Sequence, residues 1–174
     1  NDGDVLDVNS NGTISTSGLV TLVHDDGTKD IYNPTADTDA ARGTALISAQ
    51  TAAASGELII VMAGSYTTTS ALGKSGVNWY FYPGAIVTNQ TTVVWSDQNT
   101  AITYKVGGYG RFISNGSNLE VIRTQHASSN ITMTGLSVLS QNDSSSAGLR
   151  LNGVGTYYFL ESITSDHYDA VWIE

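Results

Sequence analysis

Short strand-like triplets recur in the second half of the chain and constrain its fold more than any other feature of the sequence. Three of them begin 30 and then 22 residues apart: Leu119-Glu120-Val121, Leu149-Arg150-Leu151 and Val171-Trp172-Ile173. A second pair of segments, 133–136 and 160–163, repeats at 27 residues. Two registers that recur together at such periods are typical of a solenoid, in which each turn buries its inner face against the next. Every turn then runs the same way, so the strands are expected to pair in parallel.

Alternation within the triplets assigns each residue to one face of the predicted sheet. The first and last residues of each triplet are expected to be buried, and the residues between them to point outward. The outward residues are Glu120, Arg150 and Trp172, which should lie beside one another on neighbouring strands.

The N-terminal third has a different pattern. Residues 1–35 predict a β-hairpin leader, because Asp26-Gly27 separates two β-prone runs and Gly accepts the positive φ of a tight turn. Residues 36–56 predict a capping helix that starts near Asp39, with Asp37 or Thr38 as N-cap and Gly56 as the stop. Residues 57–174 then form the parallel turns, which are expected to continue beyond the chain end. The predicted fold class is all-β: a right-handed parallel β-helix with a short β leader and one capping α-helix.

Composition excludes several classes of function. The formal net charge is −9, and the seven Lys and Arg residues are scattered, so no basic stripe exists to bind nucleic acid. The chain has no cysteine, which excludes disulfides and thiolate metal sites. No apolar run reaches the roughly 20 residues that a membrane span requires.

Three segments carry a resemblance to a known family: the cap helix followed by Glu57 to Tyr66, the segment from Gly76 to Ala85, and the segment from Asn130 to Val138. Through them, residues 36–174 resemble the pectin-lyase-like superfamily of right-handed parallel β-helices. With its low charge and its β leader, the chain is most similar to bacteriophage tail-spike and tail-fibre proteins. That resemblance implies a homotrimer in the virion tail, an extracellular particle, where it joins other tail proteins and binds a cell-surface polysaccharide.

Two other functions are compatible with the same resemblance. One is a secreted polysaccharide lyase or glycoside hydrolase whose active site lies on turns beyond this segment. The other is a bacterial surface adhesin, which would bind without cleaving. Trimerisation distinguishes the tail protein, and release of oligosaccharides distinguishes the enzyme.

No complete catalytic motif is present, so enzyme activity is left open. Asp166 and Asp169 are the best pair of carboxylates for glycoside hydrolysis, and His167 between them is a candidate acid or base. Aspartates at such a corner more often form a turn through their own backbone, and that interpretation is favoured here. No metal and no cofactor is expected.

Aromatic side chains are the remaining indication, because sugar rings stack on Trp and Tyr. The candidates for carbohydrate binding or a trimer interface are Trp95, Tyr104, Tyr109, Trp172 and Arg150. By contrast, Trp79, Phe81 and Tyr82 are expected in the core.

Overall fold

A computed structural model describes residues 18–97, 101–115, 120–126, 128–140, 147–151, 156–160 and 169–173. These residues contain one helix and fifteen strands. The N-terminal elements are β1 (Val20–Val23), β2 (Lys29–Tyr32), α1 (Asp39–Ala52), β3 (Leu58–Val61), β4 (Gly64–Thr68), β5 (Asn78–Phe81), β6 (Ala85–Asn89) and β7 (Trp95–Ser96). The C-terminal strands are β8 (Thr103–Gly108), β9 (Arg111–Ser114), β10 (Ile122–Thr124), β11 (Asn130–Thr134), β12 (Ser137–Ser140), β13 (Ala147–Leu151), β14 (Thr156–Leu160) and β15 (Asp169–Ile173).

The strands form three sheets. The largest has seven strands in the order β14-β11-β8-β5-β3-β1-β2, and the other two have four each, in the orders β15-β13-β10-β7 and β12-β9-β6-β4. The pairs that β1 makes with β2 and with β3 are antiparallel, whereas strands from β3 onward pair in parallel. The seven-stranded sheet is therefore mixed, and the two smaller sheets are parallel.

The prediction of an all-β, right-handed parallel β-helix is wrong. The described residues form a mixed α and β structure, with a 14-residue helix and several small sheets, and none of those sheets is closed or wound as a solenoid. Alternating apolar residues specify which strands pair and which faces are buried. They do not specify how the chain between strands joins one sheet to another, and recurrence alone cannot supply that information.

The predicted hairpin and helix are both present, although residues 1–17 of the predicted leader lie outside the described residues. β1 and β2 form an antiparallel hairpin with Val23 opposite Lys29, and Gly27 in its turn has φ +83°. The helix begins at Asp39, and its N-cap Thr38 accepts a hydrogen bond from the amide of Ala41 at 3.2 Å. It ends at Ala52, four residues before the glycine expected to stop it.

The predicted pairing of the triplets is partly confirmed. In β13 and β15, Leu149 lies opposite Val171 and Arg150 opposite Trp172, as the sequence predicts. In β10, however, Leu149 lies opposite Ile122, three residues later than the predicted Leu119. Glu120 is 7% exposed, so the prediction that it points outward is wrong.

The core lies between the three sheets, because each contributes aromatic side chains to one cluster. Trp95 of β7 has its ring centroid 5.2 Å from Trp79 of β5 and 5.7 Å from Phe112 of β9. Tyr104 of β8 also lies 5.2 Å from Trp95. Burial of these large rings supplies much of the apolar area removed from water.

Candidate functional site

Three exposed tyrosines lie together at one end of strands β5 and β8, and we call Tyr80, Tyr82 and Tyr109 the tyrosine face. Tyr80 points away from the core because its neighbours Trp79 and Phe81 are both buried. It is 37% exposed, and Tyr82 and Tyr109 are 42% and 65% exposed. Among described residues these are three of the four large apolar side chains with substantial exposure; the fourth is Ile31.

Strand register brings the three tyrosines together from two segments of the chain. β5 and β8 pair in parallel, with Tyr80 opposite Gly107 and Phe81 opposite Gly108. The amide of Tyr109 then donates a hydrogen bond to the carbonyl of Phe81 at 2.9 Å. Tyr80 and Tyr82 meet edge to face, with ring centroids 5.3 Å apart and planes at 82°. The rings are therefore arranged by backbone pairing and by contact with one another.

A depression of about 120 Å³ lies beside the tyrosine face, lined by Tyr80, Gly108, Tyr109, Thr134 and Gly135. The two glycines in its lining are required, because neighbouring backbone atoms lie too close to leave room for a Cβ. A Cβ on Gly108, at φ +107°, would lie 2.0 Å from the carbonyl oxygen of Phe81. A Cβ on Gly135, at φ +77°, would lie 2.3 Å from the carbonyl oxygen of Gly108. Backbone therefore lines part of the depression, between the two tyrosines.

The depression offers the groups that carbohydrate recognition uses. Tyrosine rings present apolar faces to the C–H surface of a sugar, and their hydroxyls hydrogen-bond to sugar hydroxyls. Thr134 adds a hydroxyl, which can donate and accept. The volume equals that of roughly four water molecules, so the depression takes part of one sugar residue rather than a whole oligosaccharide.

The structure separates the candidates that the sequence analysis grouped together. Trp95 and Tyr104 are 0% and 2% exposed, so neither ring offers a face to a ligand. Arg150 is half-buried and bound to Glu120 at 3.1 Å. Tyr109 is the one aromatic candidate whose described side chain is exposed, and Trp95, Tyr104 and Arg150 do not line the depression beside it.

The remaining candidates fall at the C-terminal end. The backbone register of β13 and β15 places Trp172 opposite Arg150. Asp169 is the first residue of β15. Asp166 and His167 lie outside the described residues, so their proposed roles as acid and base stay predictions.

Tyr80 and Tyr82 were missed by the sequence analysis. The expectation that Tyr82 lies in the core is wrong, since it follows the end of β5 and is exposed. The signal for Tyr80 was present, because strict alternation through Trp79, Tyr80 and Phe81 sends the middle ring to the opposite face. Two aromatic neighbours made the run look uniformly apolar.

A larger groove of about 650 Å³ lies between α1 and the end of β4, lined by Ala40, Gly43, Thr44, Ile47, Ser48, Thr51, Ala52, Thr67, Thr68, Thr69 and Gln90. The hydroxyls of Thr44, Ser48 and Thr51 each donate to the carbonyl four residues earlier in the helix. Their protons are therefore engaged within the helix. The groove has few polar groups that converge on one point, which makes it a weaker candidate than the tyrosine face.

One titratable cluster joins the hairpin to the region after the helix. His24 Nδ1 lies 2.6 Å from Glu57 Oε1, and His24 Nε2 lies 3.2 Å from Asp30 Oδ2. The hydrogen bond to Glu57, and then the one to Asp30, raises the pKa of His24. The hydrogen bond from His24, and then the one from the Ala54 amide, lowers the pKa of Glu57. All these groups bind one another across β1, β2 and the segment after α1, so the cluster is structural.

Comparison of the chain with protein-family models, with curated proteins and with solved structures gives no match. Within the described ranges, no group of three or more His, Asp or Glu side chains could hold a metal ion. No helix in that part of the chain is long and apolar enough to span a membrane. The site's own geometry is therefore the basis for inferring function.

Proposed function

We propose that this protein is a structural and receptor-binding component of a bacteriophage tail spike or fibre, and that it binds a cell-surface polysaccharide at the tyrosine face. The observation that carries the proposal is the exposure of Tyr80, Tyr82 and Tyr109 on one face, where Tyr80 and Tyr109 line a depression. Exposed aromatic clusters on a folded surface mark binding sites, because leaving them in water is unfavourable unless a partner covers them.

Several other features support this proposal over an enzyme. The described residues that line the depression are tyrosine, threonine and glycine and include no pair of carboxylates, which glycoside hydrolysis needs about 5–9.5 Å apart. The low charge and the β leader, which do not depend on the β-helix prediction, favour the same function. The proposal includes assembly as a homotrimer with other virion tail proteins.

The experiment is binding to a panel of purified bacterial capsular and lipopolysaccharide glycans, measured by biolayer interferometry. Tyr109→Ala removes the most exposed ring, and we expect it to weaken binding by about ten-fold or more, as truncation of an aromatic anchor commonly does. Ile31→Ala is the matched control, since Ile31 is 40% exposed and lies in β2, outside the depression. It should leave affinity unchanged.

Two results would contradict the proposal. If the wild-type protein bound no glycan of the panel, receptor binding by this chain would be rejected. If glycans were bound but Tyr109→Ala and Ile31→Ala had the same affinity as wild type, binding would lie elsewhere. Light scattering of the protein tests the assembly, because a clean monomer would contradict the homotrimer.

A further inference from the structure

We infer that the polysaccharide bound at the tyrosine face is anionic, with Lys105 and Arg111 as the side chains that bind its acidic groups. This inference rests on the proposed function and specifies its ligand class. It is carried by the distribution of charge over the described residues. Acidic side chains and free basic side chains lie in different parts of the surface, which the formal net charge of −9 does not show.

The basic side chains are largely engaged elsewhere. Arg42 pairs with Asp37 and Asp39, and Arg123 and Arg150 both pair with Glu120. Lys74 donates from Nζ to the carbonyl of Thr51 at 2.7 Å, and Lys29 lies in the acidic hairpin next to Asp30. Lys105 and Arg111 are exposed, and neither makes an ion pair with a carboxylate of the described residues.

Strand register places Lys105 near the tyrosine face, and Arg111 follows Tyr109 closely in sequence. Lys105 points outward from β8 between buried Tyr104 and Val106, two residues before Gly107, which lies opposite Tyr80. Strands about 4.8 Å apart and a rise of about 6.6 Å over two residues place the Cα atoms of Lys105 and Tyr80 roughly 8 Å apart. Arg111 begins β9, two residues after Tyr109. A lysine side chain easily spans such a distance, so its ammonium group can reach a ligand stacked on Tyr80.

The described residues of this part of the surface include no acidic side chain. The outward positions of the four central strands are Leu58, Ile60, Asn78, Tyr80, Thr103, Lys105, Gly107, Asn130, Thr132 and Thr134, and none is acidic. The acidic residues with described side chains lie in the hairpin and around α1, or are buried as Asp97 and Glu120 are. Among the described residues, exposed positive side chains therefore lie near the tyrosine face without acidic neighbours, which favours the binding of anions there.

The experiment compares anionic members of the glycan panel with their carboxyl-reduced derivatives, which keep the same sugar rings and linkages. We expect carboxyl reduction to weaken binding about ten-fold, and Lys105→Gln with Arg111→Gln to do the same for the anionic form alone. Binding of the anionic form should also weaken as salt is raised from about 0.01 to 0.15 M, since screening shortens the range of the attraction. Lys29→Gln is the matched control, because it removes one exposed positive charge outside the face.

The outcomes separate this inference from the function on which it rests. Equal binding of anionic and carboxyl-reduced glycans, still lost on Tyr109→Ala, would overturn the anionic ligand and leave receptor binding intact. Equal loss on Lys29→Gln would show a general charge effect and would also overturn it. Failure to bind any glycan would reject both proposals. Circular dichroism of each variant verifies folding. We expect the spectrum to be unchanged, because replacing an exposed Lys or Arg has little effect on stability.

Discussion

Arg150 Nη1 lies 3.1 Å from Glu120 Oε1, and the other oxygen of the same carboxylate lies 3.8 Å from Arg123 Nη1. Arg123 and Arg150 are directly opposite each other on the parallel strands β10 and β13. Like charges at such positions destabilise a sheet. Glu120, with its side chain only 9% exposed, offsets that repulsion by binding both arginines.

Glu120→Gln should therefore lower the free energy of unfolding by about 2–4 kcal/mol, because it leaves two partly buried guanidinium groups without their carboxylate. Urea denaturation measures the change. Adding Arg150→Gln to Glu120→Gln should recover part of the loss, since one of the two opposed charges is then absent. An unchanged urea midpoint for Glu120→Gln would show that the carboxylate does not bridge the arginines.

The same residues show how far sequence reasoning reaches. The triplets predict that Glu120 and Arg150 lie beside each other, but as outward-pointing residues on neighbouring strands. The strand in the structure is Ile122–Thr124. In the sequence, Ile122, Arg123 and Thr124 fit the alternation of buried and outward positions as well as Leu119, Glu120 and Val121 do. Val121 and Ile122 are adjacent apolar residues that interrupt the alternation, so the sequence supports either register and does not choose between them.

Local signals at the N-terminus were more reliable. The hairpin and the helix start depend on residues close in sequence, Gly27 and Thr38, whose conformational and capping preferences act locally. The tyrosine face depends on the pairing of β5 with β8, which only the folded structure shows. The cations beside it could be identified from the sequence, but their lack of carboxylate neighbours could not.

Trp95→Ala should destabilise the protein by about 3–5 kcal/mol, since it empties the centre of the aromatic core. Trp95 is fully buried and contacts rings from the other two sheets. Thermal unfolding measures the loss, and Tyr109→Ala provides the comparison because that ring is 65% exposed. Similar unfolding temperatures for the two variants would contradict the placement of Trp95 in the core.

Gly43→Ala should destabilise the protein although alanine favours helices by about 1 kcal/mol over glycine. A Cβ at Gly43 would lie 1.8 Å from the carbonyl oxygen of Thr67, so α1 would have to move away from β4. We expect a net loss of about 1–3 kcal/mol, as for other overpacked sites. Thr44→Ala, at the next and exposed position, should be neutral within about 0.5 kcal/mol. A stabilising effect of Gly43→Ala would show that the helix does not pack so closely.

Stability of the hairpin should depend on pH through His24 and Glu57. The pKa of His24 is raised from 6.5, so its contribution is complete below pH 6.5 and is lost as pH rises through the raised value. The pKa of Glu57 is lowered from 4.5, so its contribution is complete above pH 4.5 and is lost as pH falls through the lowered value. The hairpin should therefore be most stable between about pH 4.5 and 6.5.

Hydrogen exchange of the β1 and β2 amides as a function of pH, corrected for intrinsic exchange rates, measures that dependence. In His24→Gln the loss of protection above pH 6.5 should disappear, because the titrating group is gone. Asp26 is exposed in the same turn, and Asp26→Asn keeps an oxygen that can accept from Thr28, so it serves as the control for loss of a nearby negative charge. If His24→Gln lost as much protection above pH 6.5 as the wild type does, the pH dependence would come from another group.

The most direct test of the account is nitration of tyrosines by tetranitromethane with and without a bound glycan of the panel, followed by peptide mass spectrometry. Stacking of a sugar in the depression should protect Tyr109 and Tyr80, while Tyr32 of β2, which lies at the far edge of the sheet, keeps its rate. Unchanged nitration of Tyr109 at a saturating glycan concentration would contradict binding at the tyrosine face.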